Sequence, residues 1–378
     1  MKAYISLGGV LITGLMAAAA WGQWGPAVYQ APQAPYYGTP VAYLQETEPQ
    51  ALAPVADPAT TLPEETVGTT TDACLPACES ACPAVWQAWG EYLYLRPRDT
   101  EVPWGVAIDG RITDGSVPIQ VSPVATADIQ YQSGFRVGFG RAIDNCASIG
   151  VSYTYFSSHE DDSIATASPY VIRSLVSHPS SQSAATDYLR GWASNDVDFE
   201  TIDLDYRCLL RSTCDSSINW LIGARYAELE QDFLASFYNG GREDVSSTVN
   251  FSGAGLRIGL EGERHSLSTG LLVYGRSAAS FVAGDTRAYY HQGQTYDSTV
   301  VDTAWKAGRI VSILDLELGI GWTSKNNCVL LSTGYAVSAW FNAVDNAEFI
   351  QGVQTNNFVG LGDAITFDGL VARAEIRF

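Results

Sequence analysis

From Ala88 to the last residue, apolar side chains recur at every second position in ten short segments, and the connections between them alternate in length. The segments are roughly 88–96, 130–142, 147–157, 197–210, 218–232, 248–262, 267–281, 305–322, 328–341 and 365–378. A period of two is the signature of a strand with unlike faces. Four connections are short: around Asp144-Asn145, Ser212–Asp215, Glu263–His265 and Ser324–Asn327. Five are long: about 97–129, 158–196, 233–247, 282–304 and 342–364. Short turns at one end and long loops at the other describe an antiparallel up-and-down barrel that crosses a membrane. Past Ala20 no apolar run is long enough for a spanning helix, so closure of a sheet is the remaining way to pair every backbone group in lipid. The expected fold is therefore all-β, a transmembrane barrel of about ten strands, within a range of eight to twelve.

The chain begins with an export signal. Lys2 gives a positive start, Ile5 to Ala20 a small apolar core, and Ala20-Trp21-Gly22 the small residues before a cut at Gln23. The expected organisation is a signal peptide over 1–22 and a flexible Pro/Ala/Thr-rich periplasmic linker over 23–73. A cysteine-bearing segment over 74–87 and the barrel over 88–378 complete it. The linker has no periodicity and too little apolar surface to offset its ordering entropy. The final strand places Leu370, Ala372, Ala374, Ile376 and Phe378 on one face, and a terminal aromatic there resembles the signal read by the outer-membrane insertion machinery. Outer membrane, reached by export, is the expected location, with its lipid and that machinery as partners.

Parity assigns the faces. Phe135, Val137 and Phe139, then Ile149, Val151 and Tyr153, then Ile218, Trp220 and Ile222 fall on the lipid side. Leu256, Ile258 and Leu260, and Leu314, Leu316, Leu318 and Ile320, follow. Trp220 and Trp322 stand at the short-turn ends, where an interfacial aromatic belt belongs. The opposite parity carries seven cations, all Arg: Arg136, Arg207, Arg225, Arg257, Arg309, Arg373 and Arg377. It also carries seven carboxylates: Glu91, Asp203, Asp205, Glu261, Asp315, Glu317 and Glu375. The interior is thus nearly neutral, and Arg forks suit carboxylates on neighbouring strands. This lumen ladder reads either as a structural filling of a narrow barrel or as a charged constriction for permeating solutes.

The formal charge of −20 lies elsewhere. The five long connections together carry −12 and residues 23–87 a further −7. An acidic rim repels nucleic acid and attracts cations or basic ligands. No ordered ligand spacing points to a metal, and no cofactor is expected. Seven cysteines in an exported chain suggest disulfides. Cys208 and Cys214 flank a short turn and form the candidate pair. Cys146 and Cys328 sit in other turns, while Cys74, Cys78 and Cys82 precede the first strand, so all seven gather on the periplasmic side. Bridges from the leader to the rim or to a second subunit, in a homo-oligomer, are open alternatives.

The run Trp89-Gly-Glu-Tyr-Leu-Tyr-Leu-Arg-Pro-Arg98 resembles the opening strand of the pore-forming outer-membrane proteins related to the Legionella major outer membrane protein. Ser133-Gly-Phe-Arg-Val-Gly-Phe-Gly140 and Gly150-Val-Ser-Tyr-Thr-Tyr-Phe156 are similar to the second hairpin of that family, in its planctomycete type. The resemblance covers about 88–378 and implies a porin-like role: a narrow pore for small solutes or cations. It transfers no catalytic residue. Two further readings stand beside it. One is a structural or surface-interaction barrel with a plugged lumen. The other is an omptin-like hydrolase, for which His159, Asp161, Asp162, His178 and His291 supply ingredients but no ordered nucleophile, base and orienting group. The expectation is no enzyme.

Overall fold

The computed structural model describes residues 85–110, 118–144, 146–181, 188–213, 215–266 and 268–378. The signal peptide, the linker, Cys74, Cys78, Cys82 and Cys214 lie outside them. Ten antiparallel strands close into a ring: β1 (Trp86–Arg98), β4 (Gln132–Ala142), β5 (Ala147–Phe156), β8 (Arg190–Ser212), β9 (Ser216–Tyr238), β10 (Arg242–His265), β11 (Leu271–Gln294), β12 (Val301–Thr323), β13 (Val329–Ala343) and β14 (Asp363–Arg377). Each strand pairs with its neighbours in that order, and β1 with β14 completes the circle. Both chain ends of the barrel lie at the short-turn end, where Trp86 and Phe378 exchange backbone hydrogen bonds of 2.9 and 2.8 Å. That end faces the periplasm in barrels of this kind.

Every expected strand is present, but five are far longer than the alternation suggested. β8 to β12 run 23 or 24 residues. At about 3.3 Å per residue and a tilt near 45°, they rise roughly twice the height of a ~25 Å apolar band. The connection expected over 233–247 shrinks to Asn239, Gly240 and Gly241, with Gly240 in the left-handed region at φ 69°. The one expected over 282–304 shrinks to residues 295–300.

The reason is an inversion of parity inside continuous strands. On β10, Leu256, Ile258 and Leu260 face outward and are exposed, whereas Val245, Val249 and Phe251 are buried. On β8, Ile202 and Leu204 face outward, and Val197 and Phe199 face in. Where the barrel leaves the lipid the outside turns polar and the inside turns apolar, so the alternation changes phase without a break in the strand. In sequence such a phase change looks like a strand end.

The outer mouth is filled by elements from the remaining long connections. β2 (Val102–Ile108), β3 (Ala125–Ala127) and β7 (Val171–Ser174) form a three-stranded sheet, and β6 (His159–Ala165) continues the line of β5 along β8. The helix α1 (Asn346–Thr355) starts at Asp345, whose side chain accepts the Glu348 N–H, and ends at Asn356 in the left-handed region. Trp104, Ile172, Phe349 and Ile350 from these elements pack with Phe233, Phe237, Val245 and Tyr290 from the wall in one apolar core.

Candidate functional site

The lumen consists of three layers, each set by which residues the strands point inward. Outermost is the cap core just described. Beneath it Leu93, Phe156, Phe199, Trp340 and Phe367, from five strands, fill the barrel. The Phe199 and Phe367 ring centroids are 4.6 Å apart, and those of Phe156 and Phe199 5.4 Å. Rings from β5, β8, β13 and β14 thus meet across the axis.

The third layer, toward the periplasm, is the charged one. Arg225 grips Asp203 with two bonds of 2.6 and 2.8 Å and reaches Asp315 on β12 at 2.7 Å. Arg257 adds a second bond to Asp315 at 2.8 Å and approaches Asp205 at 3.5 Å. Glu91 accepts from Arg136 at 2.7 Å and from Arg373 at 2.8 Å. Arg207 donates to Glu261 at 3.2 Å. Glu375 takes Arg377 at 2.7 Å and Arg373 from the other side. Glu317 accepts from the Tyr274 hydroxyl at 2.8 Å and faces Arg136 at 3.8 Å. These pairs do not all link adjacent strands: Arg225 to Asp315 joins β9 to β12, and Arg136 to Glu317 joins β4 to β12. The network spans the lumen.

Two members differ from expectation. Arg309 has the right parity but meets no carboxylate; it donates to Asn342 Oδ1 at 3.1 Å and stacks on Trp305 at 5.3 Å. It stands six residues up β12 from Asp315, with Val311 and Ile313 of the apolar interior between them. Arg276, absent from the expected set, lies inside the ladder, 3.3 Å from Glu317 and 3.4 Å from Glu91. Its parity with Tyr274 and Ala278, opposite to Val273 and Phe281, is the signal that locates it.

Trp89 organises the floor of this layer. Arg373 and Arg207 lie over its ring at 5.0 and 5.7 Å. The ring rests on Gly138, where a Cβ would fall 2.2 Å from it. A cavity of about 80 Å³ separates the ions from the aromatic layer, and one of about 360 Å³ opens below them at the short-turn end. Glu261, Glu263, Arg373, Glu375 and Arg377 line the latter.

The other expected residues fall as follows. Cys208 carries a free thiol, against the expected bridge to Cys214. Its cross-strand partner is Trp220, and the ladder continues to Ser212 and Ser217. Cys146 and Cys328 sit at the feet of β5 and β13 on the periplasmic rim. Phe378 is exposed at that rim.

His159 and Asp161 face outward on β6, whereas Asp162 accepts from the Trp104 indole N–H at 3.1 Å on the other face. His159 is held above its ordinary pKa, first by its hydrogen bond to Asp196 and then by the nearby Asp161 charge. His159 and Asp161 therefore lie on the opposite face of β6 from Asp162. Among the described residues no group of His, Cys, Asp and Glu is placed to hold a metal ion.

Among solved structures, the chain is similar to the outer membrane protease OmpT from Escherichia coli, at 10% identity and a TM-score of 0.48, over 78% of this chain and 96% of that one. It is also similar to the Ralstonia pickettii toluene transporter TbuX, at 10% identity and 0.34, over 80% and 92%. A Pseudomonas aeruginosa FadL homologue matches at 9% identity and 0.21, over 78% and 90%. No curated protein matches the chain. Residues 80–367 match the family described as the Legionella pneumophila major outer membrane protein precursor, a span that runs from β1 through the cap to the start of β14. This outer-membrane β-barrel belongs to the Legionella pneumophila major outer membrane protein family.

Proposed function

We propose that the protein is a porin-like barrel for small solutes or cations, narrow and held closed by the aromatic layer in its lumen. The observation that carries this reading is the charged layer below. Burying ion pairs is costly, and a barrel selected for stability alone is better served by an apolar interior. A charged, cavity-bearing lumen that opens toward the periplasm and ends beneath the ring layer and the cap is arranged as a path with a gate. The acidic rim favours cations.

A second reading is a structural or surface-interaction barrel, and the cap favours it. Trp104 and Phe349 are fully buried, so the outer mouth is sealed by a packed core and not by a loose loop.

Conductance in a planar bilayer separates the two. The pore reading expects rare openings from the natural protein and steady, cation-preferring ones from Phe199→Ala with Trp340→Ala. A folded double variant that stays silent sinks it and leaves the structural barrel.

Export through a signal peptide over 1–22, with 23–73 as a periplasmic linker, belongs to the same reading. So does insertion by the outer-membrane machinery through the Phe378 strand. Trp86, where the leader joins the barrel, has Cys146 on one side and Cys328 on the other. This arrangement supports disulfides from Cys74, Cys78 or Cys82 to the rim.

A further inference from the structure

Above the apolar band, the outward face of β11 and β12 places two cations directly opposite each other. Arg287 is the cross-strand partner of Lys306. Like charges in that position repel, so the pair is unfavourable unless an anion lies between them. Lys306 is partly balanced by Asp285 at 3.0 Å. Arg287 is exposed and forms no ion pair or hydrogen bond among the described residues. Its neighbour on the other side is the uncharged Asn250, and the next acid in that direction, Glu230, is a further strand away. Asp302 stands four residues higher, opposite His291.

The surroundings specify the anion. Below them on the same outward parity, past Asp285 and Gly308, lie Ala283, Ile310 and Phe281, the upper edge of the exposed apolar band. Tyr289, also exposed, flanks Arg287 above. Aromatic and basic residues at the edge of an apolar band meet lipid headgroups. A guanidinium and an ammonium on adjacent strands, with apolar wall beneath, match a phosphate that carries acyl chains.

We propose that Arg287 and Lys306 form a clamp for the phosphate of an anionic outer-leaflet lipid, whose chains lie along Phe281 and Ile310. This stands apart from the lumen and holds whether or not the barrel conducts.

The test is native mass spectrometry of the full-length protein in mixed micelles, with phosphatidylglycerol as the anionic probe and phosphatidylcholine as the neutral one. The natural protein is expected to retain phosphatidylglycerol and not phosphatidylcholine. Arg287→Ala with Lys306→Ala is expected to weaken retention about thirtyfold, the factor two basic side chains near an anionic surface supply. Arg242→Ala, a cation higher on the barrel, is expected to change nothing. Equal retention by the double variant, equal loss with Arg242→Ala, or displacement by millimolar inorganic phosphate overturns the proposal. Should the double variant fail to fold, Arg287→Gln alone carries the same comparison.

Discussion

Phe199 on β8 and Phe367 on β14 touch with ring centroids 4.6 Å apart, although β5, β4 and β1 stand between their strands around the ring. A barrel of ten strands is narrow enough for wall side chains to meet on its axis. Their contact therefore braces opposite walls across the lumen. Phe199→Ala is expected to cost about 3–5 kcal/mol, the range for removing a buried aromatic. Urea unfolding in micelles, followed by tryptophan emission, measures it.

The ladder makes an uneven prediction among its arginines. Arg225→Ala leaves Asp203 without its two-bond partner and Asp315 with Arg257 as its remaining cation, and is expected to cost about 3–5 kcal/mol. Arg309→Ala removes a ring contact and a bond to Asn342, with an expected loss of about 1 kcal/mol or less. Thermal melting of the two variants side by side reads the difference. Equal losses would show that the carboxylates do not depend on Arg225.

Gly138 is required by a close approach. The Trp89 indole lies against it and carries Arg373 and Arg207 on its ring. Gly138→Val forces the indole away and is expected to destabilise by about 1–3 kcal/mol through overpacking. A shift in indole emission would accompany the loss. An unchanged spectrum with an unchanged melting point would place Trp89 elsewhere.

His159 gives a pH signature outside the membrane. Its pKa is raised by Asp196 and Asp161, so the folded value exceeds the unfolded one. The stabilisation is fully present below the unfolded value near 6.5 and is lost as pH rises through the folded value. The side chain is 58% exposed, so the effect on stability is small. NMR titration is expected to show a midpoint above 6.5 that falls in Asp196→Asn.

The cysteines make a chemical prediction. A maleimide applied to the unfolded, unreduced protein is expected to label Cys208, and to reach Cys146 and Cys328 only after reduction. Labelling of all three without reductant would remove the rim tether.

The strand number, the face of each lipid-side residue and most of the ladder were legible in the sequence. Alternation is a local property: once Leu256, Ile258 and Leu260 face lipid, Arg257 must face in. The same rule was sufficient for Arg276, which parity locates without any structure. Parity was not sufficient for Arg309, because it gives the face and not the height. Whether a side chain meets a carboxylate or a ring depends on which layer it reaches.

What the sequence by itself determined is therefore the wall: ten strands, an apolar exterior and a charged interior, each fixed by neighbours two residues apart. Only the tertiary structure decided how that interior is used. The outer halves of β8 to β12 emerged only with the cap, because their apolar parity is inverted and makes sense only against Trp104, Ile172 and Phe349. The contacts of Phe199 with Phe367 and of Arg225 with Asp315 join residues far apart in the chain. They form because closure and strand tilt bring distant walls to one axis, and no spacing along the chain records that distance.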